Sequence, residues 1–153
     1  MKPLLVYSLC LSFGILLFSS CKKDKEEVKP PLSRTEMITS GSWKIVAFTL
    51  SPPMDFDGDG TLDSDAYATY QPCTKDNYFV FKQGGEMEVN QGPTKCYSWD
   101  NQIETLSWSF EQNETVMMIE SENWKIHELS ETQFRISSLM NGTSTGMITF
   151  AKL

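Results

Sequence analysis

From Trp43 to Lys152 the apolar residues recur at every second position, in eight short runs separated by turn-forming residues. That is the period of a strand, whose successive side chains point to opposite faces. WKIVAFTL (43–50) is rich in β-branched and aromatic residues. In NYFVFK (77–82) Phe79 and Phe81 share a face, and in EMEVN (86–90) Met87 and Val89 point away from the glutamates. TLSWSF (105–110) alternates strictly, with Leu106, Trp108 and Phe110 inward and small hydroxyls outward. TVMMIE (115–120), NWKIHEL (123–129), QFRISS (133–138) and GMITFAK (146–152) complete the set. Between them stand Gln83-Gly84-Gly85, Glu111-Gln112-Asn113, Ser130-Glu131 and Asn141-Gly142, all turn chemistry. The run Ser33-Arg34-Thr35-Glu36 has the form of a capping box and opens a short helix through Met37 and Ile38. No helix long enough to cross between parallel strands remains. The expectation is an all-β fold: an antiparallel eight-stranded barrel with a short N-terminal helix, closed so that no sheet edge is left bare.

The first twenty residues stand outside that pattern. Met1-Lys2 gives a positive start, and Leu4 to Phe18 is an almost uninterrupted apolar run. At about 15 residues it falls short of the roughly 20 needed to span a bilayer, so residues 1–20 read as a signal peptide. Cys21 follows Ser19-Ser20 directly, which resembles the lipobox of bacterial lipoproteins and implies a cysteine acylated after cleavage. Residues 21–32 then form a lipidated N-terminus and a charged tether, KKDKEEVKPPL, leaving 33–153 for the barrel domain. Of thirteen basic residues Lys2 leaves with the leader, and the rest face twenty acidic ones. So acidic a chain is a poor partner for nucleic acid, whose phosphates demand clustered Lys and Arg.

Export also decides the cysteines. Cys10 departs with the leader and Cys21 carries lipid, so Cys73 and Cys96 remain as a pair in an oxidising compartment. A disulfide is the expectation; a metal pair is the rival, with neither a CxxC spacing nor a second histidine to complete it. Closing a loop of about 24 residues would stabilise the fold by roughly 3 kcal/mol in the chain-entropy model.

Residues 51–76 interrupt the strand rhythm with a connection too long to stand unorganised. At its centre lies DFDGDGTLDSD (55–65), five aspartates in eleven residues. Aligned on the loop of an EF-hand, Asp55, Asp57 and Asp59 take positions 1, 3 and 5, and Gly60 takes the sharp turn at 6. Thr61 would offer its carbonyl at 7, and Asp63 would coordinate at 9, directly or through water. Alternate carboxylates on a tight turn converge on one point, which suits Ca²⁺ and its six to eight oxygen ligands. Position 12, normally a bidentate Glu, is Ala66, so Asp65 or a carboxylate from elsewhere must substitute. Pro52-Pro53 precedes the loop, and no amphipathic helix flanks it.

Catalytic patterns are thin. Gly142-Thr143-Ser144-Thr145-Gly146 matches the G-x-S-x-G elbow in letters, but a strand follows it where the elbow needs a helix. His127, the only histidine, falls on the strand face opposite Trp124 and Ile126. No acid–base constellation emerges, and the expectation is a protein that is not an enzyme. Trp99, Trp108 and Trp124, with Phe79, Phe81 and Met118, either line a cavity or fill the barrel; small barrels do both. Inward small residues such as Ala47 and Thr149 would leave room, whereas Trp108 and Phe110 would fill it.

Taken in order, these features resemble the lipocalin-like lipoproteins of Gram-negative bacteria. The likeness runs from Cys21 through Gly41-Ser42-Trp43, similar to the lipocalin G-x-W, and on through the aspartate loop. It continues with Cys73 before Asp76-Asn77 and an aromatic strand, the Gly84-Gly85 hairpin, Cys96, the Trp108 strand and the closing strand with Thr149. The resemblance implies a calycin-type barrel and an outer-membrane lipid anchor, facing the periplasm or the cell surface. Lys22-Lys23-Asp24-Lys25-Glu26-Glu27 is similar to the charged signals that direct such proteins to the surface. Two functions fit. One is a non-enzymatic binding protein with a small apolar or amphipathic ligand in the barrel; the other is a surface module that binds protein or glycan, its core filled.

Overall fold

Ser33 forms a complete capping box: its Oγ accepts from Glu36 N at 3.2 Å, and Glu36 Oε2 accepts from Ser33 N at 2.8 Å. Those reciprocal bonds satisfy donors that a helix start leaves orphaned, and α1 follows over Arg34–Thr39. The structure, a computed structural model, describes residues 30–153. Cys21, the leader 1–20 and nearly all of the tether 21–32 therefore lie outside the described residues.

After α1 come β1 (Ser42–Met54), β2 (Asp63–Asp65), α2 (Ala66–Thr69), α3 (Pro72–Lys75), β3 (Tyr78–Phe81) and β4 (Glu86–Asn90). β5 (Ile103–Glu111), β6 (Val116–Ile119), β7 (Glu122–Leu129), β8 (Gln133–Met140) and β9 (Ser144–Lys152) complete the fold. Each strand from β3 to β9 pairs antiparallel with the next, and β1 pairs with both β3 and β9. That last pairing closes an eight-stranded barrel, with β2 attached to it as a ninth strand. Pro31–Leu153 forms one compact unit.

β1 is the unusual wall. Along one flank it pairs with β9 from Trp43↔Lys152 to Ser51↔Thr145. Along the other it meets β3 only at Ser42↔Val80 and Trp43↔Phe79, then β2 at Thr49↔Asp65 and Met54↔Asp63. The seam between β1 and β3 therefore parts above Trp43, and the 55–76 insertion packs into it: Phe56 and Tyr70 lie against Phe48, at ring-centroid distances of 5.2 and 6.2 Å. The long structureless connection expected from sequence is thus largely built. The strand runs on through Pro52-Pro53 because proline is tolerated where no ladder N–H is required. Ser144 Oγ donates to the Pro52 carbonyl at 2.6 Å.

A register shift between Ile45 and Ala47 marks a bulge at Val46, which reverses the inward set along β1. Ile45 pairs with Phe150 and Phe48 with Ile148, on the inner face, while Ala47 pairs with Thr149 on the outer one. The expectation that Ala47 and Thr149 face inward is corrected on this point. Strict alternation through 43–50 could not carry the extra residue.

The strand registers define two ends. At one end lie α1 and the turns β3–β4, β5–β6 and β7–β8; at the other lie the β4–β5, β6–β7 and β8–β9 connections and the insertion. The α1 end is filled with aromatic rings. Trp43 meets Phe134 edge-on at 4.9 Å, Phe81 meets Trp108 at 5.4 Å, and Phe134 stacks on Phe150 at 4.1 Å. Such pairs contribute about 0.5–1.5 kcal/mol each beyond the area they bury. The indole N–H groups of Trp43 and Trp108 find acceptors: Trp43 Nε1 donates to the Ile38 carbonyl at 2.7 Å, and Trp108 Nε1 to the Glu86 carbonyl at 3.0 Å. The first bond ties α1 across the barrel end, with Ile38 fully buried beneath it. In the β3–β4 turn, Gly85 has φ 90°, and a Cβ there would meet the Trp108 carbonyl oxygen at 2.9 Å. Only glycine closes that hairpin without displacing the Trp108 strand.

Candidate functional site: an apolar calyx beside an acidic loop

Away from α1 the aromatic packing gives way to aliphatic side chains that do not meet. Ile45, Leu106, Ile119, Ile136 and Ile148 wall a cavity of about 370 Å³, with Phe79 and Phe150 also lining it. That volume lies within the range of small-molecule sites, roughly 300–1,000 Å³. Room is left by branched aliphatics of medium size rather than by small residues. Glu120, Ser121 and Glu122, on and beside the β6–β7 turn, supply polar lining. Glu120 Oε1 accepts from Ser107 N, and Glu120 N donates to Ser107 O at 2.9 Å, so the turn is bound back onto β5.

The aromatic candidates divide. Phe79 and Trp124 line the cavity, while Phe81 and Trp108 are buried. Met118 pairs with Ser109 and Asn123, opposite in alternation to the inward Met117. Trp99 departs furthest from expectation: it is 79 % exposed on the β4–β5 connection, stacked on Tyr97 at 5.0 Å and 13°. Its loop is pinned by bonds from Tyr97 N to Asp100 Oδ2 and from Lys95 Nζ to the Asp100 carbonyl. The disulfide beside it joins Cys73 to Cys96, clamping α3 to this loop.

Of the six ligands proposed from sequence, the fold gathers three. Carboxylate oxygens of Asp55, Asp57 and Asp63 all lie within 4.8 Å of one another, a group that could hold a metal ion. The turn forms because Asp55 accepts from Gly58 N at 2.8 Å and from Gly60 N at 3.1 Å, with both glycines at positive φ. Asp63 Oδ2 accepts from Phe56 N at 3.1 Å, which folds the far side of the loop back. Asp59 and Asp65 are engaged otherwise. Asp59 Oδ1 accepts from Thr61 N at 2.7 Å, and Asp65 Oδ1 caps α2 through Ala68 N at 3.2 Å. Thr61 thus enters the network as an N–H donor. The capping role of Asp65 was legible in retrospect, since Asp followed by a short helical run is N-cap chemistry.

His127 is exposed, its Nε2 2.7 Å from Ser137 Oγ. Ser144, centre of the G-x-S-x-G letters, is buried, and the turn before it is a hairpin with Asn141 and Gly142 at φ 49° and 73°. That is the backbone of a strand reversal. Among the described residues no helix is long and apolar enough to cross a membrane.

By architecture and site, then, this is a small closed antiparallel barrel with an apolar calyx open at one end. Set against known proteins, the sequence matches no family profile and no curated protein.

Proposed function

We propose that the protein is a lipocalin-like binding protein that holds a small apolar or amphipathic ligand in the calyx and does no chemistry on it. The observation that carries this reading is the aliphatic cavity opposite a barrel end packed solid with aromatics. A protein that needed only a stable barrel would gain by filling that space, since unfilled apolar volume forfeits packing. Its setting, on this proposal, is the outer membrane of a Gram-negative cell, tethered through acylated Cys21 and facing the periplasm or the exterior. The acidic loop would hold one structural Ca²⁺ on Asp55, Asp57 and Asp63. The test is native mass spectrometry of the protein purified from its host. A co-purified small molecule, displaced by an apolar dye and lost in Leu106→Trp, is the expected result. A ligand-free protein that binds no apolar dye would overturn the reading.

A second reading has one observation in its favour. The Tyr97–Trp99 stack is exposed and held by a bridged loop, which suits contact with a protein or a glycan on the barrel's exterior. Trp99→Ala would abolish such binding and leave the calyx unaffected.

A further inference from the structure

We infer that the calyx selects cationic amphiphiles: molecules with an apolar body and an ammonium or guanidinium head. This rests on the calyx reading above and specifies its ligand.

The first ground is the direction of the mouth carboxylates. Along β7 the inward face carries Trp124, opposite the fully buried Met117. Alternation puts Glu122 on that same face, paired with the cavity-lining Ile119. A strand at a solvated rim usually turns its charges outward; here a carboxylate stands in register with the apolar wall. On β5, Glu104 stands two residues from inward Leu106 and opposite Val89, which packs against the core, although Glu104 does not itself line the cavity. Glu120, between β6 and β7, is held over the opening by its bond from Ser107 N.

The second ground is what the cavity does not contain. No lysine or arginine lines it. Among the described residues, the ion-paired bases Arg34, Lys82 and Arg135 are matched with Glu114, Glu86, Glu88 and Glu128, none of them at the mouth. At the open end Lys95 and Lys75 donate to the carbonyls of Asp100 and Ala68. A carboxylate or phosphate head entering the cavity would therefore meet like charge and no cation among the residues that line it, the Lys75 and Lys95 ammonium groups being held on the loops by those carbonyls. A cation would meet carboxylates beside a low-dielectric wall, where charge-assisted hydrogen bonds are strongest. The Trp124 ring lining the same space offers a cation a further favourable surface.

The experiment uses the lipid-free chain from residue 22, since Pro31–Leu153 is a compact unit with its own core. Calorimetric titrations compare three probes with the same ten-carbon chain, each below its micelle concentration: decyltrimethylammonium, decanol and decanoate. The expected order is cation, then alcohol, then carboxylate, with at least about tenfold between the first and last, or 1.4 kcal/mol. That gap should narrow as salt is raised from low to physiological strength. Glu122→Gln should reduce the preference, and Glu120→Gln with Glu122→Gln should erase it while decanol binds as before. Because glutamine keeps an acceptor for Ser107 N, the double variant retains the turn; unaltered circular dichroism checks this, and Glu122→Gln alone serves should it fail. Equal affinities, or a preference for decanoate, would overturn the charge selection and leave the calyx standing. Failure of all three probes to bind would overturn both.

Discussion

The two ends of the barrel are built from the same strands and solve opposite problems. At the α1 end, rings meet edge to face, a capped helix lies across the opening, and the turns are short. At the other end the same strands carry aliphatic side chains around a void, and two of the connections, the acidic insertion and the β4–β5 loop, are long and bridged to each other. Ring packing is concentrated where Trp43, Phe81, Phe134 and Trp108 interlock. The open end is held by devices that do not require a filled interior: a disulfide, side-chain-to-backbone bonds in the loops, and the proposed cation. The difference teaches that a calyx can be left empty only if its rim is stiffened by something other than packing.

That division breaks most readily by truncating each end in turn. Phe134→Ala should cost about 3–5 kcal/mol in chemical denaturation, the range for a large aromatic removed from a packed core. Ile119→Ala, at the cavity wall, should cost clearly less, because that side chain is only partly buried and already borders space. Equal losses would mean the ends are energetically alike. Next in size, replacing Cys73 and Cys96 by serine should remove roughly 3 kcal/mol. Hydrogen exchange should then accelerate in 66–76 and 91–102 while β8 and β9 near α1 stay protected; uniform acceleration would contradict a locally stiffened rim.

The cation comes third. If Ca²⁺ binds the folded loop and not the unfolded chain, a hundredfold excess over Kd should add about 2.7 kcal/mol, visible as a melting shift between EGTA and Ca²⁺. Mg²⁺ should substitute poorly, and Asp57→Ala should abolish the shift while Asp59→Ala, whose carboxylate is turned to Thr61 N, should only reduce it. An identical melting temperature in EGTA and millimolar Ca²⁺ would leave the loop as an acidic surface feature. The smallest effect concerns Tyr70, whose phenol is pushed above its ordinary value by burial against Phe48 and Phe56. A raised folded pKa favours the neutral phenol, so its contribution is whole below about pH 10 and is lost as pH rises through the folded value. Tyr70→Phe should flatten the alkaline fall in melting temperature; a fall of the same steepness would remove the insertion's packing as its cause.

Much of the barrel was legible because the strands from β3 to β9 keep an apolar face at period two, except in β7, where the register shifts between Ile126 and Glu128. Closure followed from edge chemistry, and the Cys73–Cys96 bridge from elimination. What escaped depended on local breaks in that period. One bulged residue, Val46, moved Ala47 to the outside, and two prolines concealed four further residues of β1. Apolarity predicts a place inside the barrel for Trp99, in a cavity wall or in a filled core, yet its loop is stabilised through Asp100 and Lys95 with the ring left outside. The aspartates were legible as a cluster, but all five accept backbone N–H groups, and which three converge depends on how the turn folds around those bonds. The cavity itself was beyond reading, since its volume follows from the register of several strands at once.

The parted seam beside β1 has a consequence for how this chain tolerates change in length. Above Trp43 the barrel's continuity runs through β9, and the other flank is occupied by a segment that joins no strand except β1. Insertions or deletions between Asp55 and Leu62 therefore alter a stave that no neighbouring ladder must follow. A gene encoding this protein can lengthen or shorten that stretch without shifting the register of any other strand, so what such a change puts at risk is the acidic loop and the packing of Phe56 on Phe48, not the ladder of the barrel.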